Sequence, residues 1–489
     1  MRESSDSPAL TDPRLSALFQ RTTGAAQQGG HRLQLLRDSS EHEAATLAMI
    51  ARAERHIIVE NYRICDDDWG RSLLTALCQR ARDGLQVMVL ADWLGSFNQL
   101  SRRWIRELHD AGGEFRRFNT PGLGEPLAWM VRNHRKLMSI DGCEAIITGW
   151  CQSAQWRGHA VKRSTLSDAE PAQQDPWRDT GVRVAGDVVI NMEAAFAHTW
   201  QLSGSAWQPR LHPHCANTPL PFTVKNANVR LITGRPQNSP LFRLDQLVIN
   251  LAQTRVWITD AYPVGTPAYL DSLRQASKNG VDVRLLVPGS SDLPMIGLLA
   301  RSSYRPLLLA GVRVFEWNGA MLHAKTAVAD GCWARIGSTN LNPASWLGNY
   351  ELDLAIENAD FAAAMESQFL DDLDNATEIV LSDAERVKLV APRRRTKRSL
   401  RHHQSSATTL RVSRAMALAV RESRRLGPTD ASLLGGLGLA GIVIAGIALW
   451  QPEAIAWPVA VIAALLSVNL LRIARRRFAD YRKNQQPKA

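Results

Sequence analysis

Six cysteines in 489 residues, Cys65, Cys78, Cys143, Cys151, Cys215 and Cys332, stand far apart, and none forms a C-x-x-C pair. Such sparse usage excludes a disulfide-built scaffold and a cysteine zinc site, and it predicts reduced thiols in a cytosolic compartment. Carboxylates likewise form no cluster that calls for a catalytic metal. The N-terminus, MRESSDSPALTDPRL, has no apolar stretch, so no secretory signal is expected, and residues 1–30 read as a flexible arm. The main body also lacks a net positive charge. The formal net charge is +11, yet the chain from Pro392 onward carries +14, which leaves −3 for everything before it. A near-neutral body is no nucleic-acid clamp, and no nucleic-acid partner is expected.

What is present is a globular composition, 45% apolar and 21% charged, in a chain long enough for two domains. Near its end, residues 431–450 (ASLLGGLGLAGIVIAGIALW) and 454–471 (AIAWPVAVIAALLSVNLL) are uncharged runs, each close to the ~20 residues that cross a bilayer core. Trp450 and Trp457 flank the short QPE turn, as interfacial aromatics do. We read 431–471 as a transmembrane helical hairpin; a buried hairpin of a soluble domain would not keep so long a stretch free of charge. The basic linker 392–430 and basic tail 472–489 flank it, so the positive-inside rule puts both hairpin ends and the body in the cytoplasm. Those segments would attract an anionic membrane surface, unless they are merely solvated.

Before the linker the chain alternates strand-like and helix-like segments, and it does so twice. RHIIVENYRI, WGRSLLTALCQRARDG and LQVMVLAD in residues 31–215 are answered by TRVWITDAYP, AYLDSLRQASKNG and VDVRLLVPG in 216–391. These are β-α-β units, which predict an α/β fold of two pseudo-symmetric halves, each a mixed sheet flanked by helices. The repeat includes NHRKLMSIDGCEAIITGWC and LHAKTAVADGCWARIGSTN, 189 residues apart, so that His134 matches His323, Lys136 matches Lys325 and Asp141 matches Asp330. One such motif is weak; two in register within a duplicated unit are a strong signal.

Asp-Gly between alternating segments predicts a two-residue type I′ hairpin, in which His323 lies opposite Ser338 and Lys325 opposite Ile336. His and Lys, two apart on a strand, share a face. Two such faces brought together give two imidazoles and two ammoniums, an inventory suited to phosphodiester chemistry without a metal or other cofactor. Asp179 in WRDTGVRVAG and Glu351 in NYELDLAIEN each stand ahead of a predicted strand. Either could steady an imidazole or merely open the strand. His198, His212 and His214 fall in a loop-like region and read as structural or exposed.

With both motifs in place the chain resembles the phospholipase D superfamily, and more closely the bacterial cardiolipin synthases, over about residues 32–361. NHRK, IDG, WRDT, LHAK, GSTNLNPAS and NYELD carry the likeness. It implies two phospholipase D-like halves around one active site. His134 would be the nucleophile, forming a phosphohistidine, and His323 the acid and later base, with the reverse order open. Lys136 and Lys325 would hold phosphate, helped by Ser338 and Asn340; Asp141 and Asp330 complete the catalytic motifs; Asp179 and Glu351 would orient the histidines. The substrates implied are phospholipids, phosphatidylglycerol and a second lipid such as phosphatidylethanolamine, at a bacterial inner membrane, with no metal. The resemblance is incomplete at Thr148-Gly149-Trp150-Cys151, where Cys151 stands for the expected Asn, and in the C-terminal place of the hairpin. The 159–176 segment reads as an inserted loop. Hydrolysis by a phospholipase D uses the same residues; a nuclease and a non-catalytic lipid-binding protein fit less well.

Overall fold

A computed structural model of the chain describes residues 10–121, 130–158, 175–207, 222–381 and 387–390. The expected membrane hairpin, linker and tail, and most of 159–176, lie outside the described residues. Among the described residues no helix is long and apolar enough to cross a membrane.

The first half lays down β1 (Gln28–Leu36), β2 (His56–Asn61), β3 (Gln86–Asp92), β4 (Glu114–Phe118), β5 (Arg132–Asn133), β6 (Lys136–Ile140), β7 (Glu144–Thr148) and β8 (Gly181–Ala185). The second adds β9 (Val224–Gly234), β10 (Arg255–Thr259), β11 (Asp282–Pro288), β12 (Arg313–Trp317), β13 (Thr326–Ala329), β14 (Trp333–Gly337) and β15 (Asn349–Glu357), then β16 (Ala376–Leu381) and β17 (Val387–Val390). In each half three parallel strands, β2-β3-β4 and β10-β11-β12, continue into an antiparallel run, β6-β7-β8-β1 and β13-β14-β15-β9. The antiparallel β1–β9 pair joins the two halves in one mixed sheet, and its irregular register bends it there. Helices Asp68–Arg82 and Pro267–Lys278 make the β-α-β crossovers that parallel neighbours require. One apolar core runs through both halves, with Val182, Val184 and Phe196 packed in the same cluster as Leu352, Leu354 and Phe361.

Both hairpin turns form as their Asp-Gly pairs require. Asp141 (φ 57°), Gly142 (70°), Asp330 (49°) and Gly331 (67°) all have positive φ, and Cys332 N–H closes the turn on the Ala329 carbonyl at 3.2 Å. The register nevertheless departs from expectation by one residue. Cys143 and Cys332 are left out of the ladders as bulges, so Ala329 faces Trp333, Thr326 faces Ile336, and Gly337 N–H donates to Lys325 rather than Ile336 standing opposite it.

Three other expectations change. The N-terminal arm is ordered from residue 10: Asp12 caps helix Pro13–Thr23, Pro13 opens it, Gly24 at φ 74° ends it, and Phe19 is buried. Cys65, Cys78, Cys151 and Cys332 are free thiols, but Cys143 is disulfide-bonded, which overturns the expectation of thiols throughout. His198 sits on helix Val188–Leu202 against the Tyr350 ring, not in a loop; His212 and His214 lie outside the described residues.

Candidate active site

The parallel strands β2 and β10 end beside β6 and β13, with Asn61 paired to Lys136 and Thr259 to Thr326. Both His-x-Lys pairs therefore stand at one end of the sheet. The backbone ties the halves together there: His134 N–H donates to Tyr350 O at 2.9 Å, and His323 N–H donates to Arg178 O at 2.7 Å. Arg178 is itself held by two 2.9 Å bonds to Asp372.

The carboxylates cross between halves. Glu351, inside β15 rather than ahead of it, holds Nδ1 of His134 at 3.0 Å through both oxygens. Asp179, two residues before β8, holds Nδ1 of His323 at 2.8 Å. A buried carboxylate on Nδ1 makes that nitrogen the donor and leaves Nε2 with its lone pair free. Each half thus completes the other's histidine.

The supporting partners differ. Glu351 also accepts Ser338 Oγ at 2.5 Å and Asn349 Nδ2 at 3.1 Å. Asp179 instead accepts the Trp156 indole N–H at 3.2 Å and Thr180 N–H at 2.8 Å. Trp156, Trp177 and Tyr262 rings lie 5.3, 5.5 and 6.0 Å from His323, whereas His134 has Tyr62 at 5.2 Å. Sequence pattern singles out none of these aromatics for a role, although Trp177 stands in the WRDT segment. The signal available was Tyr62 and Tyr262 standing just beyond two equivalent strands.

Lys136 Nζ donates to the His134 carbonyl at 2.7 Å, and Lys325 Nζ donates to that of His323. One proton of each ammonium is used locally and two remain. Burial lowers the pKa of Lys136 and brings Lys325 down to about 8. Burial also lowers both imidazoles; both lysines push the same way, against Glu351 on His134 and Asp179 on His323. Burial alone would raise the two carboxylates, but their histidines and the nearby lysines outweigh it and both lie below the ordinary range. The result is two ionised carboxylates beneath two neutral imidazoles.

Three residues take places other than those expected. Asp141 and Asp330 lie at the far ends of β6 and β13, seven residues beyond the histidines, or ~23 Å along an extended chain. There Asp141 accepts N–H bonds from Glu54, Arg55 and His56, and Asp330 from Gln253, Thr254 and Arg255, all between 2.8 and 3.0 Å. A side chain needed to collect three consecutive amides at a left-handed turn explains the Asp of the motif without chemistry. Ser338 donates its hydroxyl proton to Glu351 and accepts Leu352 N–H at 2.9 Å, so it positions the carboxylate rather than presenting a donor to phosphate. Asn340 is buried with no hydrogen-bond partner on its Oδ1; that oxygen only accepts, so it is the Nδ2 amide that could serve phosphate. Among the described residues no three His, Cys, Asp or Glu side chains converge as a metal set.

Residues 247–373 match the family described as cardiolipin synthase, PLD-like domain. A cardiolipin synthase A of Pseudomonas syringae pv. syringae is 31% identical over 364 residues, which cover 72% of this chain and 71% of that protein. The chain belongs to the cardiolipin synthase family. Another member, a cardiolipin synthase of Clostridium perfringens, is 29% identical over 351 residues, 70% of each chain. The fold is similar to the crystal structure of phosphatidylserine synthase from Haemophilus influenzae, with a TM-score of 0.55 at 15% identity, covering 74% of this chain and 91% of that one. The segment matched by the family, residues 247–373, holds the second histidine motif and Glu351.

Proposed function

We propose that the protein is a phosphatidyltransferase that makes cardiolipin from phosphatidylglycerol and a second phospholipid. The observation that carries this reading is the crossed pair of carboxylate–imidazole dyads, each with a lysine two residues away. His134 Nε2 attacks the donor phosphorus, the P–O bond to the headgroup alcohol breaks, and His323 gives that oxygen a proton. His323 then takes the proton of the acceptor hydroxyl, whose oxygen displaces His134 and forms the new phosphodiester. Lys136 and Lys325 balance the equatorial phosphoryl charge. Burial first, and then the lysine charges, depress His323; an anionic phosphodiester bound against the lysines opposes both and favours the imidazolium.

The same reading places the body at the inner face of a bacterial cell membrane, anchored by the 431–471 hairpin with both hairpin ends cytoplasmic. Purified protein in mixed micelles with labelled phosphatidylglycerol, alone and with phosphatidylethanolamine, tests the reaction. Cardiolipin formed in both wild-type mixtures and lost in His134→Ala supports it. Phosphatidic acid alone assigns a hydrolase, and equal turnover by His134→Ala sinks the histidine mechanism.

A further inference from the structure

Of the eleven large apolar side chains exposed among the described residues, eight stand on segments around the mouth of this site; Leu47, Leu202 and Leu309 are the others. In the first half they follow β3: Leu94 is 41% exposed and Phe97 53%, and Met130, four residues before His134, is 58% exposed. In the second half they follow β11, the equivalent strand: Leu293 is 49% exposed, Met295 56% and Leu299 51%. Leu347, two residues before the Asn349 that supports Glu351, is 62% exposed.

Short links fix these patches to the histidines. Asp92 accepts the N–H groups of Leu94 (2.9 Å) and of Asn133 (2.8 Å), the residue before His134. Ser96 Oγ accepts Ile64 N–H at 3.1 Å beside Tyr62, whose ring lies 5.2 Å from His134. Across the mouth, Tyr262 is 6.0 Å from His323 and donates its hydroxyl to Asp292 at 2.7 Å, immediately before Leu293. Helix Pro294–Ser302 then buries Ala300 and turns Met295, Leu298 and Leu299 outward, the spacing of one helical face. Isolated exposed apolar residues are ordinary, but two equivalent patches flanking one site are not.

We infer that this rim is a membrane-docking surface that seats the active site on a phospholipid bilayer. The inference rests on the proposed phosphatidyl chemistry. A two-tailed substrate must keep its chains in an apolar medium while its phosphate reaches the buried histidines, and the rim is continuous with that opening. A second copy of the chain on the same face would close the mouth against its substrate. Exposed Arg102, at the start of the helix after the first patch, adds attraction for anionic headgroups.

The test uses the full chain in phosphatidylglycerol nanodiscs, with a fluorophore on Phe97→Cys, Leu298→Cys or, as a reference on helix Ser39–Arg52, Leu47→Cys. Labelled parent protein gives the background from native thiols. Nitroxide-labelled acyl chains are expected to quench positions 97 and 298 at least about threefold more than position 47. Quenching at 97 and 298 no greater than at 47 overturns the inference, including when protein self-association shields them. Phe97→Ser with Leu298→Ser is expected to raise the apparent KM for micellar lipid roughly tenfold or more. Turnover of a monomeric short-chain phosphatidylglycerol should stay within about twofold of wild type; an unchanged micellar KM overturns the inference. Quenching needs no turnover, so an inactive enzyme that still shows it sinks the reaction and not the docking.

Discussion

The two halves of the site share a backbone and differ in how they support it. Around Glu351 the second half is polar: Ser338 and Asn349 hold the carboxylate, Thr339 bonds Asp353, and burial raises Asp353 to about 7. The equivalent strands of the first half replace this set with aromatics. Trp150 stands where Thr339 does, stacked on Trp69 at 5.8 Å, and Trp156 carries the bond to Asp179. Glycine changes sides in the same way. Gly337 faces Asp353, and a Cβ there would lie 2.2 Å from Asp353 Oδ1; in the first half Gly181 is the small member, opposite Thr148. Duplication preserved the two imidazoles and freed their surroundings to diverge, provided each carboxylate kept its support.

The largest effect should come from removing either imidazole. His134→Ala and His323→Ala are each expected to lower kcat by about a thousandfold or more. The two losses differ in kind if His134 is the nucleophile. With a donor whose leaving group needs no proton, His323→Ala should accumulate an acid-labile phosphohistidine after rapid quenching, and His134→Ala should not. Label on the His134→Ala protein instead would reverse the roles of the halves.

Next come the carboxylates, through which the halves depend on each other. Glu351→Gln and Asp179→Asn are each expected to lower kcat by about 10²–10⁴ with folding retained, because an amide no longer fixes the donor nitrogen or steadies an imidazolium. The supports sharpen the contrast. Ser338→Ala acts chiefly through Glu351 and Trp156→Phe chiefly through Asp179, each by roughly tenfold. If the effects of Trp156→Phe and Asp179→Asn multiply instead of overlapping, the indole does not work through that carboxylate.

Much of this is legible in the sequence. The α/β repeat, both His-x-Lys pairs and both carboxylates followed from pattern and resemblance. What escaped had a common cause: dependence on contacts between distant segments. The crossing of Glu351 to His134 and of Asp179 to His323 spans 217 and 144 residues. The one-residue register shift depends on bulges at Cys143 and Cys332, which an Asp-Gly pair does not announce. Asp141 and Asp330 kept the motif's spacing for the sake of amides 85 and 75 residues away. Trp156 and Ser338 support carboxylates through side-chain bonds that no periodicity encodes.

Protonation offers a smaller and more selective perturbation. Burial lowers Lys325 to about 8, so its charge is lost as pH rises through that value, and kcat/KM should fall on an alkaline limb near pH 8. Lys325→Arg keeps the charge and should remove that limb while lowering the maximum. On the acid side, His42 in the first half and His323 in the second are buried neutral, each lowered to about 3 from an ordinary 6.5. Unfolded chains bind these protons first, so stability is whole above about pH 6.5 and declines as pH falls toward 3. His42→Gln should flatten the decline in urea midpoints between pH 6.5 and 5. An unchanged slope would remove His42 as a source.

The smallest expected effect bears on the residue that most separates the halves. Cys151 occupies the place equivalent to Asn340, buried among Trp69, Trp150 and Trp156. Its thiol is a weak donor in an aromatic wall, whereas Asn340 carries an amide donor, Nδ2, beside a buried Oδ1 that has no hydrogen-bond partner. If Asn340 alone binds the phosphate, Asn340→Cys should cost roughly tenfold in kcat/KM, and Cys151→Asn should change it by less than about threefold. The second substitution buries an amide in an apolar cluster and should lower unfolding stability by about 1–3 kcal/mol, measured by urea denaturation. A large gain in rate from Cys151→Asn would mean that the first-half motif still faces phosphate and lacks only its donor. The aromatic wall would then be a late covering over a symmetric site, not a different way of building one.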